Sequence, residues 1–238
     1  MLNIWIKNNL IFIFLITVLS SHAETDQTVD FGIHYVGHFS KGSMLGWEEK
    51  EFDGETVYGL VFDKDINKTV LKASSQASAS GLFHTKRIDL AKTPWLQWSW
   101  KTNQHYQNPF EDKKQGDDFV ARLYLIIDGG IFFWNTKALN YVWSSELEIG
   151  HSWPNPYVSN NLMHSVETGK QHLNQWQFYS RNIRDDLKRL LGKDVQFIDA
   201  VAVMTDSDDT QQHAISYYGD IFFSNAEIDQ TSITSIKH

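Results

Sequence analysis

The chain of 238 residues contains no cysteine. Disulfides, thiolate metal sites, iron–sulfur clusters and thiol nucleophiles are excluded, and a folded domain must rest on its apolar core alone. Basic residues are in deficit, 21 Lys and Arg against 29 Asp and Glu, for a formal charge of −8. That balance argues against nucleic acid and anionic lipid surfaces as partners. Helical periodicity is nearly absent, and so are a P-loop, a glycine-rich dinucleotide turn and a nucleophile elbow. Only one hydrophobic run has any length, "LIFIFLITVL" at residues 10–19, and it is too short to span a bilayer.

That run follows a lysine and precedes "SHA" at Ser21–Ala23, with small residues three and one positions before a cut. Residues 1–23 therefore read as a secretory signal peptide. The expectation is a single domain over residues 24–238, periplasmic or secreted, with no membrane span after cleavage. Loss of Lys7 would take the formal charge from −8 to −9. With no cysteine after the cut, a lipoprotein anchor is excluded. Oligomeric state is not legible.

What the chain does have is aromatic side chains: nine Trp, nine Tyr and fifteen Phe. They suit a β-sandwich core and equally a sugar-binding surface. "TVYGLVFDKDINKTVLKASSQ" reads as a hairpin around "DKDIN". "SASGLFHTKRIDL" reads as extended. In "PWLQWSWKT", Leu96, Trp98 and Trp100 alternate with Gln97, Ser99 and Lys101. In "DFVARLYLIID", Phe119, Ala121, Leu123, Leu125 and Ile127 form one face, with Val120, Arg122, Tyr124 and Ile126 on the other. "ALNYVWSS", "WQFYSRN", "FIDAVAVMTD" and "SYYGDIFFSNAEI" add four strands. "NIRDDLKRLLG" is the one convincing helix, with Ile183, Leu187, Leu190 and Leu191 on one stripe and Gly192 as its stop. Many short strands and one helix predict a mainly all-β, antiparallel β-sandwich with a short helix near residues 183–191.

The stretch "GDDFVARLYLIIDGG" sets an arginine in an apolar run. Arg122 cannot sit among Val120, Tyr124 and Ile126 unpaired without a large cost. Asp118, four positions away on a strand, is too far, so its partner comes from a neighbouring strand or from a ligand. It is either half of a structural ion pair or a ligand anchor. Asp128 with Gly129 and Gly130 reads as a turn. In "MTDSDDT", Asp206, Asp208 and Asp209 crowd a loop, which suits either solvated turn acids or a structural Ca²⁺ loop. It is no EF-hand, since Gln211 and Tyr217 stand where glycine and glutamate belong. The histidines are scattered without zinc spacing. Trp143 is a core residue or a stacking platform, as are Trp95, Trp98, Trp100 and Trp176. "HSWPNPYVSNN", with Trp153 and Tyr157, reads as an edge loop able to bind.

In order, the blocks "PWLQWSWK", "GDDFVARLYL", "LNYVWS", "RNIRDDLKRLLG", "VAVMTDSDDT" and "YYGDI" resemble the bacterial domain of unknown function 3047 family (DUF3047), over about residues 39–223. The resemblance implies an exported jelly-roll-like sandwich, akin in outline to galactose-binding and carbohydrate-binding modules, and no established activity. Positions matching the family's polar pattern are Asp117, Asp118, Arg122, Trp143, Arg181, Asp206, Asp208 and Asp220. Gln97 and Ser99 depart from it, standing where arginine-type residues are expected, which argues against an anionic ligand. The expected function is non-catalytic binding of a glycan or cell-envelope saccharide. Arg122 and Arg181 would be anchors, Trp143 a stacking face, and Asp117, Asp118 and Asp220 further ligand contacts. Asp206, Asp208 and Asp209 would hold any Ca²⁺. The alternatives are a polysaccharide hydrolase or lyase, which needs two carboxyls across a cleft, and a structural envelope protein with both arginines paired inside and no cleft.

Overall fold

A computed structural model describes residues 30–131 and 135–229; the leader expected at residues 1–23 lies outside them. Fourteen strands and one α-helix follow in order: β1 (His34–Gly37), β2 (Trp47–Asp53), β3 (Val57–Asp63), β4 (Lys68–Gln76), β5 (Ala79–Asp89), β6 (Trp95–Thr102), β7 (Arg122–Ile127), β8 (Lys137–Ser144), β9 (Ser152–Pro154), β10 (Asn161–Thr168), β11 (Gln177–Asn182), α1 (Ile183–Leu191), β12 (Phe197–Met204), β13 (His213–Tyr218) and β14 (Ile221–Ser224). They form two seven-stranded sheets. The first runs β1-β14-β6-β13-β4-β3, with β11 on the other edge of β6; the second runs β2-β5-β12-β7-β8-β10-β9. The fold is a jelly-roll-like β-sandwich. Every pairing is antiparallel except β8 with β10, which run parallel, a departure from the all-antiparallel expectation.

The alternation of β6 places Leu96, Trp98 and Trp100 in the space between the sheets, each at most 2 % exposed. Trp98 stacks on Tyr141 of the opposite sheet, with ring centroids 5.2 Å apart, and on Tyr179 at 4.7 Å. The β3–β4 hairpin turns where Asp63 Oδ1 accepts from the Asp65 and Ile66 amides, and Asn67 takes the left-handed conformation at φ 53°. Helix α1 begins where the Asn182 side chain accepts from the Asp185 amide and ends on Gly192 at φ 64°.

Two strands differ from their sequence reading. The segment 216–228, expected as one strand, falls on two, β13 and β14, because Tyr218 faces Trp100 while Phe222 faces Gln97. Four residues are taken up against three, so Gly219–Asp220 contains a bulge. The strand expected from Phe119 starts only at Arg122. Residues 117–121 form a loop, so Val120 joins Ala121 and Leu123 in the main core, while Phe119 turns to the outer face of the second sheet. There Phe119 packs with Val142, Trp153, Met163 and Leu147 as a second, smaller core. Among the described residues, no helix is long and apolar enough to cross a membrane.

Candidate functional site

The register of the second sheet sets side chains in rows across its outer face. Phe83, Ala202, Tyr124 and Asn140 form one row over β5, β12, β7 and β8, and Gly81, Met204, Arg122 and Val142 form the next. Small residues sink the floor between larger ones. A Cβ on Gly81 would meet the Phe83 ring at 2.6 Å, so glycine there lets that ring lie along its own strand. Phe83 and Tyr124 approach to 6.4 Å across Ala202, and Phe52 of β2 lies 6.4 Å from Phe83 on the far side. Three rings thus line one half of the outer face. The cleft over them holds about 580 Å³ and reaches Asn155, Tyr157, Asp208 and Asp209 at the end where β7 begins and β12 stops.

That end has two tiers. In the lower one Arg122, 3 % exposed, donates to Asp206 Oδ2 at 2.9 Å, to the Asp117 carbonyl at 2.6 Å and to the Tyr124 hydroxyl at 2.8 Å. Asp117 Oδ1 lies 3.5 Å from the same guanidinium, and Asp117 Oδ2 accepts from Asn155 at 2.8 Å. Asp206 Oδ1 accepts from the Phe119 amide at 3.1 Å. Burial pushes the Asp206 and Asp117 carboxyls upward, and the Arg122 charge opposes that push in both. The guanidinium is therefore what lets two buried acids share this corner.

In the upper tier Asp118, fully buried, accepts from the amides of Asp209 at 3.2 Å and Thr210 at 2.6 Å. It holds the loop that carries Asp208 and Asp209 into the cleft. Burial pushes the Asp208 carboxyl up to about 6, with Asp118 and Asp209 adding repulsion. Burial raises Asp209 too, against the hydrogen bond it accepts from the Tyr157 hydroxyl at 2.9 Å. Asp118, Asp208 and Asp209 each bring one carboxylate oxygen within 4.8 Å of the others. Such a trio can contribute to a hard cation's shell, supplying about half of the six to eight oxygens that Ca²⁺ takes. Asp206 is not in that trio, contrary to expectation, because both its oxygens are engaged below.

The family described as "Protein of unknown function (DUF3047)" matches residues 45–222. The chain belongs to the DUF3047 family. No curated protein matches its sequence. Among solved structures it is similar to a thermostable cellulase derived from the Cel12A cellulase of Rhodothermus marinus, at 8 % identity over 79 % of this chain and 93 % of that one, with a TM-score of 0.43. It is similar also to the xyloglucanase domain of NopAA from Sinorhizobium fredii, in complex with cellobiose, at 8 % identity over 77 % and 96 %, TM-score 0.42. A third likeness is to carbohydrate-binding modules of the β-sandwich superfamily, at 9 % identity over 82 % of this chain and 62 % of that one, TM-score 0.34. These are similarities of chain path.

The DUF3047 chain gathers some of the sequence-predicted site residues and scatters the rest. Asp117, Asp118, Arg122, Asp206, Asp208 and Asp209 meet at the end of the cleft. Trp143 does not offer a stacking face: it is 1 % exposed in the main core, and its Nε1 donates to the Gly169 carbonyl at 2.9 Å. Arg181 sits elsewhere, paired with Asp186 of α1 at 2.6 Å, while Asp186 also accepts from Tyr141 and Arg189. Asp220 lies on the other sheet, its carboxylate accepting from the Ser40 amide and hydroxyl. The two expected anchors, Arg122 and Arg181, are thus apart, and Arg122 is half of a buried ion pair. Trp153 of the expected edge loop is buried in the small core, but Tyr157 stands 53 % exposed at the cleft rim. The stacking rings Phe52 and Phe83 were missed. Their signal was the alternation of "KEFD" and "GLFH", which places both on the face shared with Lys50 and Gly81.

Proposed function

We propose that this DUF3047 protein is an exported, saccharide-binding β-sandwich whose ligand lies in the cleft on the outer face of the second sheet. The observation that carries this reading is the row of Phe52, Phe83 and Tyr124 ending at Asp208, Asp209 and Tyr157. A sugar ring offers an apolar face to aromatic rings and hydroxyl hydrogens to carboxylates, and the cleft presents both surfaces side by side. Its volume of about 580 Å³ suits more than one ring. Export rests on the leader-like residues 1–23, and with it a glycan of the cell envelope as the natural class. Arg122 serves this site by holding its loops.

The test is calorimetric titration of the purified protein with cellohexaose, chitohexaose and soluble peptidoglycan fragments. Phe52→Ala and Tyr157→Ala remove half-exposed rings and are expected to weaken binding roughly tenfold each with folding intact. Absence of binding across the panel, or equal affinity in both variants, rejects the cleft as the binding site.

A hydrolytic reading is favoured by one observation: Asp208, which lines the cleft, is raised to about 6 by burial, toward the range of a general acid. Its test is release of reducing ends from the same oligosaccharides, with Asp208→Asn expected to abolish turnover and retain binding. No release from any of them supports binding alone.

A further inference from the structure

The outer face of the first sheet holds a second cavity, of about 280 Å³, in which the cleft residues take no part. Gln97, Ser99 and Lys101 of β6 alternate with the core residues and so point away from the sandwich, where solvent is expected. They are nevertheless only 0 %, 6 % and 9 % exposed. Two of the three have full employment. The Gln97 amide meets the hydroxyls of Ser180 and Ser224, and the Lys101 ammonium is held by Asp63 and Asp65 at 2.5 and 2.8 Å. The Ser99 side chain lines the cavity.

The bulge in the adjoining strand shapes the same place. Gly219 donates its amide to the Ser99 carbonyl at 3.0 Å, and a Cβ there would stand 2.2 Å from Ser99 Oγ. Glycine thus leaves Ser99 its room, and the bulge sets Asp220 at the cavity wall. Rings of Tyr35, Phe178 and Phe222 line it too, with Asp65 and Lys68 among the other wall residues. Burial, with Asp220 adding to it, pushes the Tyr35 phenol up to about 12, so it keeps its proton.

We propose that this cavity is a second ligand site, taking one neutral ring that bears hydroxyl groups, of the size of a single pyranose. Ligand pockets generally run from roughly 300 to 1,000 Å³, and this one lies just below that range, which favours one ring over a chain. Three aromatic rings provide apolar faces, and Ser99 provides a donor and acceptor for a hydroxyl. An anion is disfavoured, because the wall sets the carboxylates of Asp65 and Asp220 against the one ammonium of Lys68. The Gln97 and Ser99 positions, polar and uncharged, set this preference.

The experiment is titration of the isotope-labelled protein with methyl β-glucopyranoside, methyl β-galactopyranoside and glucuronate, followed by amide chemical shifts. At least one neutral glycoside is expected to produce saturable shifts at Ser99, Gly219 and Phe222, and glucuronate none. Ser99→Ala is expected to weaken that binding roughly 3- to 10-fold, the worth of one neutral hydrogen bond. Phe178→Ala weakens it independently should the first variant be perturbed. Phe52→Ala and Tyr157→Ala leave it unchanged, which separates this site from the cleft. Saturable shifts confined to the cleft, or none with either glycoside, overturn the second site. Equal binding of glucuronate, or indifference to both Ser99→Ala and Phe178→Ala, does so as well.

Discussion

The two halves of the second sheet's outer face start from similar residues and end differently. Over β8, β10 and β9, the apolar Val142, Met163 and Trp153 are roofed by Phe119 and Leu147. Over β2, β5 and β7, the rings of Phe52, Phe83 and Tyr124 have no such roof among the described residues. The closed half is held by deliberate polar attachments. Glu111, 2 % exposed, accepts from the Ser144 hydroxyl and the amides of Ser145, Glu146 and Leu147, and Asn155 Oδ1 accepts from the amides of Tyr157 and Val158. Among the described residues, the means to cover apolar surface on this face are used on that half. Aromatic surface beside a built wall is the arrangement the proposed binding site draws on.

Both tiers of acids stand at the end of the cleft, the lower one as its buried footing and the upper one carrying Asp208 and Asp209 to its rim, and substitutions separate them. Arg122→Leu has the largest expected effect. It leaves Asp206 and Asp117 buried without their cation, a loss on the order of 3–5 kcal/mol in urea denaturation. A small loss, with ligand binding abolished instead, would make Arg122 a ligand anchor and break the distinction between tiers. Next comes Glu111→Ala, which takes the acceptor from the Ser144 hydroxyl and from the amides of Ser145 and Glu146, while the Leu147 amide keeps the Ser144 hydroxyl. About 2–3 kcal/mol is expected, with faster hydrogen exchange at residues 145–147 and none at Phe83.

Asp208→Asn sharpens the contrast through pH. The folded-state value of about 6 lies above the ordinary 3.8, so the native state holds the proton more tightly than the unfolded chain. Stability from this group is fully present below the ordinary value and is lost as pH rises through about 6. The asparagine variant is therefore expected to be the more stable at pH 8, by about 1 kcal/mol once solvent screening of a half-buried group is allowed for. The advantage shrinks through pH 6 and is gone near pH 4. Denaturation midpoints at these three pH values check it. The smallest effect is that of Phe52→Ala, within about 0.5 kcal/mol in stability, whereas Trp153→Ala in the roofed half should cost about 3 kcal/mol or more.

The elements set by local pattern were legible: the β3–β4 hairpin, the inward row Leu96, Trp98, Trp100, and helix α1 between Asn182 and Gly192. That Arg122 needs a partner was also legible, because an unpaired guanidinium in an apolar strand is too costly. Which acid it takes was not. Asp206 is 84 residues away along the chain and reaches it only because β12 lies beside β7. The same long-range pairing exchanges Asp118 for Asp206 beside Asp208 and Asp209, since Asp118 is carried in from the other loop. The misplacements of Trp143, Arg181 and Asp220 share one cause. A polar or aromatic residue on a strand shows which residues share its face, but not which sheet it joins or what covers that face.

The most direct measurement of the open half as the binding surface is amide hydrogen exchange of the protein with and without a bound hexasaccharide from the titration panel. Protection is expected at Phe83, Tyr124, Asp208, Asp209 and Tyr157, with Trp153 and Met163 unchanged. Protection confined to the roofed half, or to neither half while the glycan is demonstrably bound, would contradict it.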